Sequence, residues 1–424
     1  MKRVLLSLFS ILMLALTSCV STDVYLSPLT MDDSFSVEEK FEALGKERIL
    51  VDEPDVFFSG QQWLDKLMEL TEESEDYILI STFLGSSSEL LEPFYELLCQ
   101  KAESGVDVYL IMDGSSSYDM TESKEYLTPL YFLRDRGVHL LEYSPYTVTH
   151  LISPATLMIR EHRKLFVFDG KCCAIGGMNL NYISLGAGDM DQRDSMYLFR
   201  SGSLCSSFID EFVSIWNGVS VEKIDRDDFV TSDGGDEAML PAYLFNQGPG
   251  GDDSMAELYS VLINSAKEEI LFLPYLPALD ENMMASLVRA KERGVKITML
   301  IPIELFRYSG EGIAYILPDI VPLCHEFYLC YIDKGVKPTN LHEKLMVVDG
   351  RYSVIGSTNF NYRSMGLSNE IAMVIDSPAF AAMERSHFYD RISEGSILVD
   401  EKMAEEMKDD MGSFFIYLFM YYGG

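Results

Sequence analysis

The stretch His162-Arg163-Lys164-Leu165-Phe166-Val167-Phe168-Asp169-Gly170 is echoed later in the chain by His342-Glu343-Lys344-Leu345-Met346-Val347-Val348-Asp349-Gly350. In both, a lysine stands two residues after a histidine and an aspartate seven after it. The four apolar residues between, closed by an Asp-Gly turn, predict a buried strand. Residues two apart on a strand share a face, so His162 projects with Lys164, and His342 with Lys344. Asp169 and Asp349 lie at odd spacing near the strand ends, where a supporting role suits them better than direct attack. A return strand then runs to Gly176-Gly177-Met178-Asn179 in one copy and Gly356-Ser357-Thr358-Asn359 in the other. Small residues there let backbone approach a ligand, and the amides of Asn179 and Asn359 can donate to an anionic oxygen. The chain has six histidines, and His139, His150, His325 and His387 have no such partner, so they read as structural.

Working outward, each copy is preceded by a similar strand–helix–strand unit. In the first half, Asp76–Ser81 reads as a strand, Leu90, Leu91, Phe94, Leu97 and Leu98 as a helix, and 106–112 as a second strand. In the second half, 269–273 and 295–301 are the strands, with Leu287 and Ala290 on the helix between them. Such units imply parallel pairing with a right-handed crossover. The resulting divisions are a leader at 1–18, an acidic tether at 19–55, an N-terminal domain at 56–224, an acidic Gly-rich linker at 225–253, a C-terminal domain at 254–400 and an aromatic tail at 401–424. The tail is expected to pack on the body, with contact to a membrane interface as the sharper alternative.

Hydrophobic residues make up 48% of the 424, enough for sizeable cores. The formal charge of −34 argues against a protein that tracks nucleic-acid backbones and against electrostatic adhesion to anionic lipid. Lys2 and Arg3, an apolar run from Leu5 to Leu16, and Leu16-Thr17-Ser18-Cys19 resemble a bacterial lipoprotein leader. That pattern implies cleavage before Cys19 and acylation of its thiol, a palmitate-bearing anchor that would hold the protein to the cell envelope outside the cytoplasm. A plain secretory leader is the alternative. Cys99, Cys172, Cys173, Cys205, Cys324 and Cys330 sit among apolar neighbours and read as buried free thiols. No spacing suits a metal.

Two imidazoles and two ammonium groups, flanked by two amides, suit a phosphodiester. The lysines would neutralise the non-bridging oxygens in the transition state. One neutral imidazole would attack phosphorus, and the other, protonated, would serve the departing alcohol. A carboxylate behind each ring would fix its tautomer. Glu370 is the candidate for His342, and Asp194, with Asp191 as fallback, for His162.

On these residues the chain resembles the phospholipase D superfamily, whose signature is His-x-Lys-x4-Asp followed by Gly-Gly/Ser-x-Asn, twice per active unit. The resemblance covers roughly residues 55–400. It is most similar to the bacterial cardiolipin synthase branch, through Pro274-Tyr275-Leu276-Pro277, the Gly-Gly and Gly-Ser variants of the second motif, and Asn369-Glu370. It implies an α/β protein: two pseudo-symmetric phospholipase D-like α/β/α domains with mixed, largely parallel sheets and one active site shared at their interface. It further implies a covalent phosphohistidine without metal or cofactor, a phospholipid substrate, and activity as a monomer. His162 is assigned as nucleophile and His342 as general acid, with Lys164, Lys344, Asp169 and Asp349 completing the catalytic set. Asn179, Asn359, Gly177, Ser357, Asp194 and Glu370 serve the phosphate or support the set. The expected activity is phosphatidyl transfer from phosphatidylglycerol to give cardiolipin; hydrolysis to phosphatidic acid, a nuclease, and an inactive lipid-binding scaffold are the alternatives. Two departures stand out: a lipoprotein-type leader replaces transmembrane helices, and Gln192-Arg193-Asp194 lacks the aromatic residue usual before its acid.

Overall fold

A computed structural model describes residues 26–114, 130–145, 156, 158–186, 192–232, 239–248, 254–302, 309–330, 341–408 and 411–423. The leader, Cys19 and Asp191 lie outside these residues. The chain divides into two compact units, Arg48–Val148 with Arg160–Ala242, and the segment up to Glu47 with Thr149–Ile159 and Tyr243–Gly424.

The first unit holds strands β1 (Arg48–Val51), β2 (Asp55–Phe57), β3 (Tyr77–Thr82), β4 (Asp107–Asp113), β5 (His139–Tyr143), β6 (Leu165–Phe168), β7 (Cys172–Gly176) and β8 (Met196–Phe199). Seven of them form one sheet in the order β2-β8-β7-β6-β3-β4-β5. β3, β6, β7 and β8 are buried along their whole length, which is why they read as continuous apolar runs rather than alternating ones. Trp63, Leu64, Leu67 and Thr71, at helical spacing, form the buried stripe of helix Gly60–Glu73. That helix and Glu92–Glu103 share a core with Ile78, Ile80, Phe166 and Phe168. Helix Gly202–Val219 packs on β3, β6 and β7 from the other side.

The second unit holds β9 (Leu240–Gln247), β10 (Glu269–Pro274), β11 (Lys296–Pro302), β12 (Glu326–Cys330), β13 (Lys344–Val348), β14 (Tyr352–Gly356), β15 (Glu370–Asp376) and β16 (Ser396–Leu398). Their order is β9-β15-β14-β13-β10-β11-β12-β16. The strand–helix–strand expectation is met in both units: β3 pairs β4 in parallel across helix Glu92–Glu103, and β10 pairs β11 across Glu281–Glu292.

The sheets are mixed, as expected, but the parallel share is smaller than the largely parallel one anticipated. Parallel pairs join β3 to β4 to β5 and β10 to β11 to β12. β6, β7 and β8, like β13, β14 and β15, pair antiparallel. The reason is local. Asp169 and Gly170 both take positive φ, 50° and 59°, as do Asp349 and Gly350 at 51° and 58°. Lys171 N donates to Phe168 O and Arg351 N to Val348 O, each at 3.0 Å. An Asp-Gly turn of this kind returns the chain at once, and a connection that short builds only a hairpin.

Two segments behave differently from what composition suggests. Much of the supposed tether is folded: Ser36 and Glu39 form a reciprocal capping box on helix Val37–Ala43, whose Phe41 is buried against Tyr243 and Phe245. The supposed linker contains β9, with Ala242, Tyr243 and Phe245 fully covered. Its acidic flanks masked an ordinary strand pattern. The aromatic tail forms helices Glu401–Met407 and Met411–Gly423, and the second packs on Ser309–Ile320 with Ile416 and Met420 buried. No disulfide joins the six cysteines among the described residues; five are buried and Cys324 is half-buried. No helix among the described residues is long and apolar enough to cross a membrane.

Candidate active site

Each unit builds the same arrangement at the head of one strand. In the first, His162 and Lys164 precede β6 and are buried; in the second, His342 precedes β13 and Lys344 is its first residue, and both are buried. Lys164 Nζ donates to the His162 carbonyl at 2.7 Å, and Lys344 Nζ donates to that of His342. Each ammonium is thereby folded back beside its own histidine.

Both pairs rest on an aromatic ring that directly follows a strand, β3 in the first unit and β10 in the second. The His162 ring meets Phe83 edge-on at 4.6 Å, and Lys164 Nζ lies 5.2 Å from the centre of the same ring. Tyr275 takes that place in the second unit, at 4.4 Å from the His342 ring and 4.4 Å from Lys344 Nζ. A cation over a buried ring is held electrostatically where water is scarce. Neither ring was singled out as a site residue from sequence. The available signal was that both stand directly after matching strands.

The asparagine segments are stitched to these ring-bearing loops. Leu84 N donates to Asn179 Oδ1 at 3.1 Å and Ser86 N to Leu180 O at 3.1 Å. In the other unit, Phe360 N donates to Tyr275 O and Ala278 N to Phe360 O, both at 3.0 Å. Asn179 thus spends its carbonyl oxygen on the fold, whereas buried Asn359 Oδ1 has no hydrogen-bond partner among the described residues.

The two aspartates face away from attack. Asp169 accepts from the backbone N–H groups of Glu75 (3.0 Å), Asp76 (2.9 Å) and Tyr77 (3.0 Å) and from Lys171 Nζ (2.9 Å). Asp349 likewise accepts from Lys267, Glu268 and Glu269 at 2.9, 2.8 and 3.0 Å. Burial pushes the Asp169 carboxyl up, but Lys171 and the three N–H groups outweigh it and hold the group below its ordinary value.

The remaining candidates also find partners. Ser357 Oγ donates to Glu370 Oε2 at 2.5 Å and accepts from Ile371 N at 3.1 Å. Asp194 is fully buried, and its Oδ1 accepts from Ser195 N at 2.9 Å. It stands so close to Gly177 that a Cβ there would lie 2.1 Å from Asp194 Oδ1, which is why this position carries glycine.

The middle residue of each motif meets a long helix of its own unit. Arg163 meets Glu161 at 3.5 Å and Glu211 of helix Gly202–Val219 at 3.7 Å. Glu343 Oε1 accepts from Arg391 Nη2 at 2.6 Å and lies 2.9 Å from His387 Nε2, both on helix Pro378–Glu394. Burial raises the Glu343 carboxyl, but His387 and Arg391 prevail and bring it to about 2. His387, read as structural, is found in that structural contact.

The sequence profile of the family described as "Cardiolipin synthase, PLD-like domain" matches residues 67–216 and 259–392. The chain belongs to the phospholipase D superfamily. It is 26% identical over 355 residues to a probable cardiolipin synthase of Bacillus subtilis, covering 81% of this chain and 66% of that one. It is 25% identical over 340 residues to a cardiolipin synthase of Geobacillus kaustophilus, covering 76% and 62%. The chain therefore spans a little under two thirds of the length of these curated relatives. Among solved structures, phosphatidylserine synthase of Haemophilus influenzae superposes with a TM-score of 0.67 at 13% identity, covering 88% of this chain and 94% of that one. Polyphosphate kinase of Porphyromonas gingivalis gives 0.53 at 12% identity, covering 84% and 49%. These two likenesses establish the phospholipase D-like α/β fold and nothing about substrate.

Proposed function

We propose that this phospholipase D superfamily member is a phosphatidyltransferase of cardiolipin synthase type, with the two motifs acting on one phosphorus atom. His162 attacks the phosphorus of phosphatidylglycerol, the bond to the glycerol headgroup breaks, and His342 delivers its proton to the departing alkoxide. The hydroxyl of a second phosphatidylglycerol then gives its proton to His342 and attacks the phosphatidyl-histidine, releasing cardiolipin and restoring His162. Lys164 and Lys344 offset the charge on the non-bridging oxygens. Asp169 and Asp349 hold the strand ends that carry these groups, Asn179 and Asn359 line the phosphate, and Ser357 and Glu370, like Gly177 and Asp194, form the support behind them.

The observation that carries this reading is the doubled pair: each unit buries one imidazole and one ammonium together on one aromatic ring. The names of the relatives support the lipid substrate, and the −34 charge disfavours a nucleic-acid one. A Cys19 anchor would hold the chain beside lipid in the cell envelope, outside the cytoplasm, where surface charge would not. Water in place of the second alcohol gives phosphatidic acid by the same chemistry. Mass spectrometry of lipids after incubating the purified protein with phosphatidylglycerol tests the proposal: cardiolipin and free glycerol support transfer, phosphatidic acid supports the hydrolase, and unchanged lipid refutes both.

A further inference from the structure

We infer that Arg163 and Glu343, the residues between histidine and lysine in the two motifs, are positioning residues that tie the catalytic segments to the long helix closing each unit. This rests on the reading that the flanking histidines and lysines do the chemistry. Arg163 and Glu343 are each 1% exposed and sit just ahead of the central strand of their unit's hairpin. Arg163 is joined to Glu211 of helix Gly202–Val219, and its own N–H donates to Glu161 Oε1 at 3.3 Å. Glu343 is joined to Arg391 and His387 of helix Pro378–Glu394, whose Arg391 also donates to Glu394 at 3.0 Å.

A buried ion pair is a weak source of stability, because apolar side chains of the same volume pack about as well. What it adds is direction. A guanidinium–carboxylate contact fixes the distance and orientation of the two backbones it joins, and here it does so between the two residues whose placement sets the chemistry. The polarity is reversed between units: base on the strand and acid on the helix in one, acid on the strand and base on the helix in the other. In both, the partners neutralise the strand charge. What the units share is therefore the tie, not a sign of charge beside the imidazole. A tie of either polarity lets one motif read His-Arg-Lys and the other His-Glu-Lys.

The test is steady-state kinetics of full-length variants on phosphatidylglycerol vesicles, with thermal midpoints measured in parallel. Glu343→Gln is expected to lower kcat by about 10²-fold with KM within a factor of about three, as misplacement of catalytic groups does. Glu343→Arg should be worse. Adding Arg391→Glu, which copies the polarity of the other unit, should recover at least about tenfold of that loss. Should Glu343→Gln fail to fold, Glu211→Gln, on a side chain 33% exposed, provides the same reading on the Arg163 side. The inference is overturned if a folded Glu343→Gln or Glu211→Gln keeps parental kcat, or if the loss follows the thermal midpoint alone and the reversed pair restores nothing. A parent protein with no turnover would instead strike at the proposed function.

Discussion

The Asp169 carboxylate accepts the N–H of Tyr77 at 3.0 Å, the first residue of β3, and Asp349 does the same for Glu269, the first residue of β10, at 3.0 Å. In each unit the aspartate of the motif thus pins the hairpin turn to the start of the neighbouring strand. Removing Asp169 deprives the N–H of buried Tyr77, and those of exposed Glu75 and Asp76, of their acceptor. Asp169→Ala is expected to lose about 2–4 kcal/mol in urea unfolding, at unchanged slope with denaturant. Loss of activity with undiminished stability would mean that the carboxylate serves the chemistry directly.

Asp169 also predicts a pH dependence. Its folded carboxyl titrates below the unfolded value, so the folded state favours the charged form. The stabilisation is complete above the unfolded value of about 3.9 and disappears as pH falls through the lower folded value. The stability difference between the parent and Asp169→Asn should therefore be constant above about pH 5 and shrink below it. A difference that grew on acidification would contradict the assignment.

Glu343 sets a second acid limb. With its folded carboxyl at about 2, its contribution is full above the ordinary glutamate range and is lost as pH falls towards that value. The free energy involved is on the order of 3 kcal/mol. Acid unfolding followed by circular dichroism should show a shallower acid limb in Glu343→Gln than in the parent, and equal limbs would rule the ion pair out as its cause.

Tyr275 carries both the His342 ring and the Lys344 ammonium. Tyr275→Phe preserves the ring and should leave kcat within about threefold, whereas Tyr275→Leu removes a contact of about 0.5–2 kcal/mol and should lower it by about 3- to 30-fold. Phe83→Leu should behave alike in the other unit. A phenylalanine variant as impaired as the leucine one would assign the role to the hydroxyl instead.

Gly177 leaves the Asp194 carboxylate the space it occupies. Gly177→Ala should cost about 1–3 kcal/mol, because a buried, bonded carboxylate has to shift. The loss would appear in the thermal midpoint, and a silent substitution would show that Asp194 is free to move.

Several features were legible in the sequence because the residues that make them are close together. The strand–helix–strand units follow from apolar period and glycine stops, and the hairpin of each motif follows from an apolar run ending in Asp-Gly. The remainder depends on partners far apart in the chain. Asp169 meets Tyr77 across 92 positions, and Glu343 meets Arg391 across 48, and no local pattern announces either contact. Helix Val37–Ala43 was hidden by its acidic surroundings, although Ser36 and Glu39 carried its capping signature. Phe83 and Tyr275 look like ordinary strand-end aromatics until the fold lays a lysine over each. The two histidines and two lysines are singled out by a repeated spacing; their mounting is visible only in the structure.

If two motifs serve one phosphorus atom, removing either of them alone must abolish turnover. The rate of glycerol release from phosphatidylglycerol vesicles would be measured for the parent, for His162→Ala, for His342→Ala and for an equimolar mixture of the two variants. Each variant is predicted to fall by roughly 10⁴–10⁶-fold, with the mixture no faster than its parts. A variant that kept about half the parental rate would show that each half works alone, and would contradict the account.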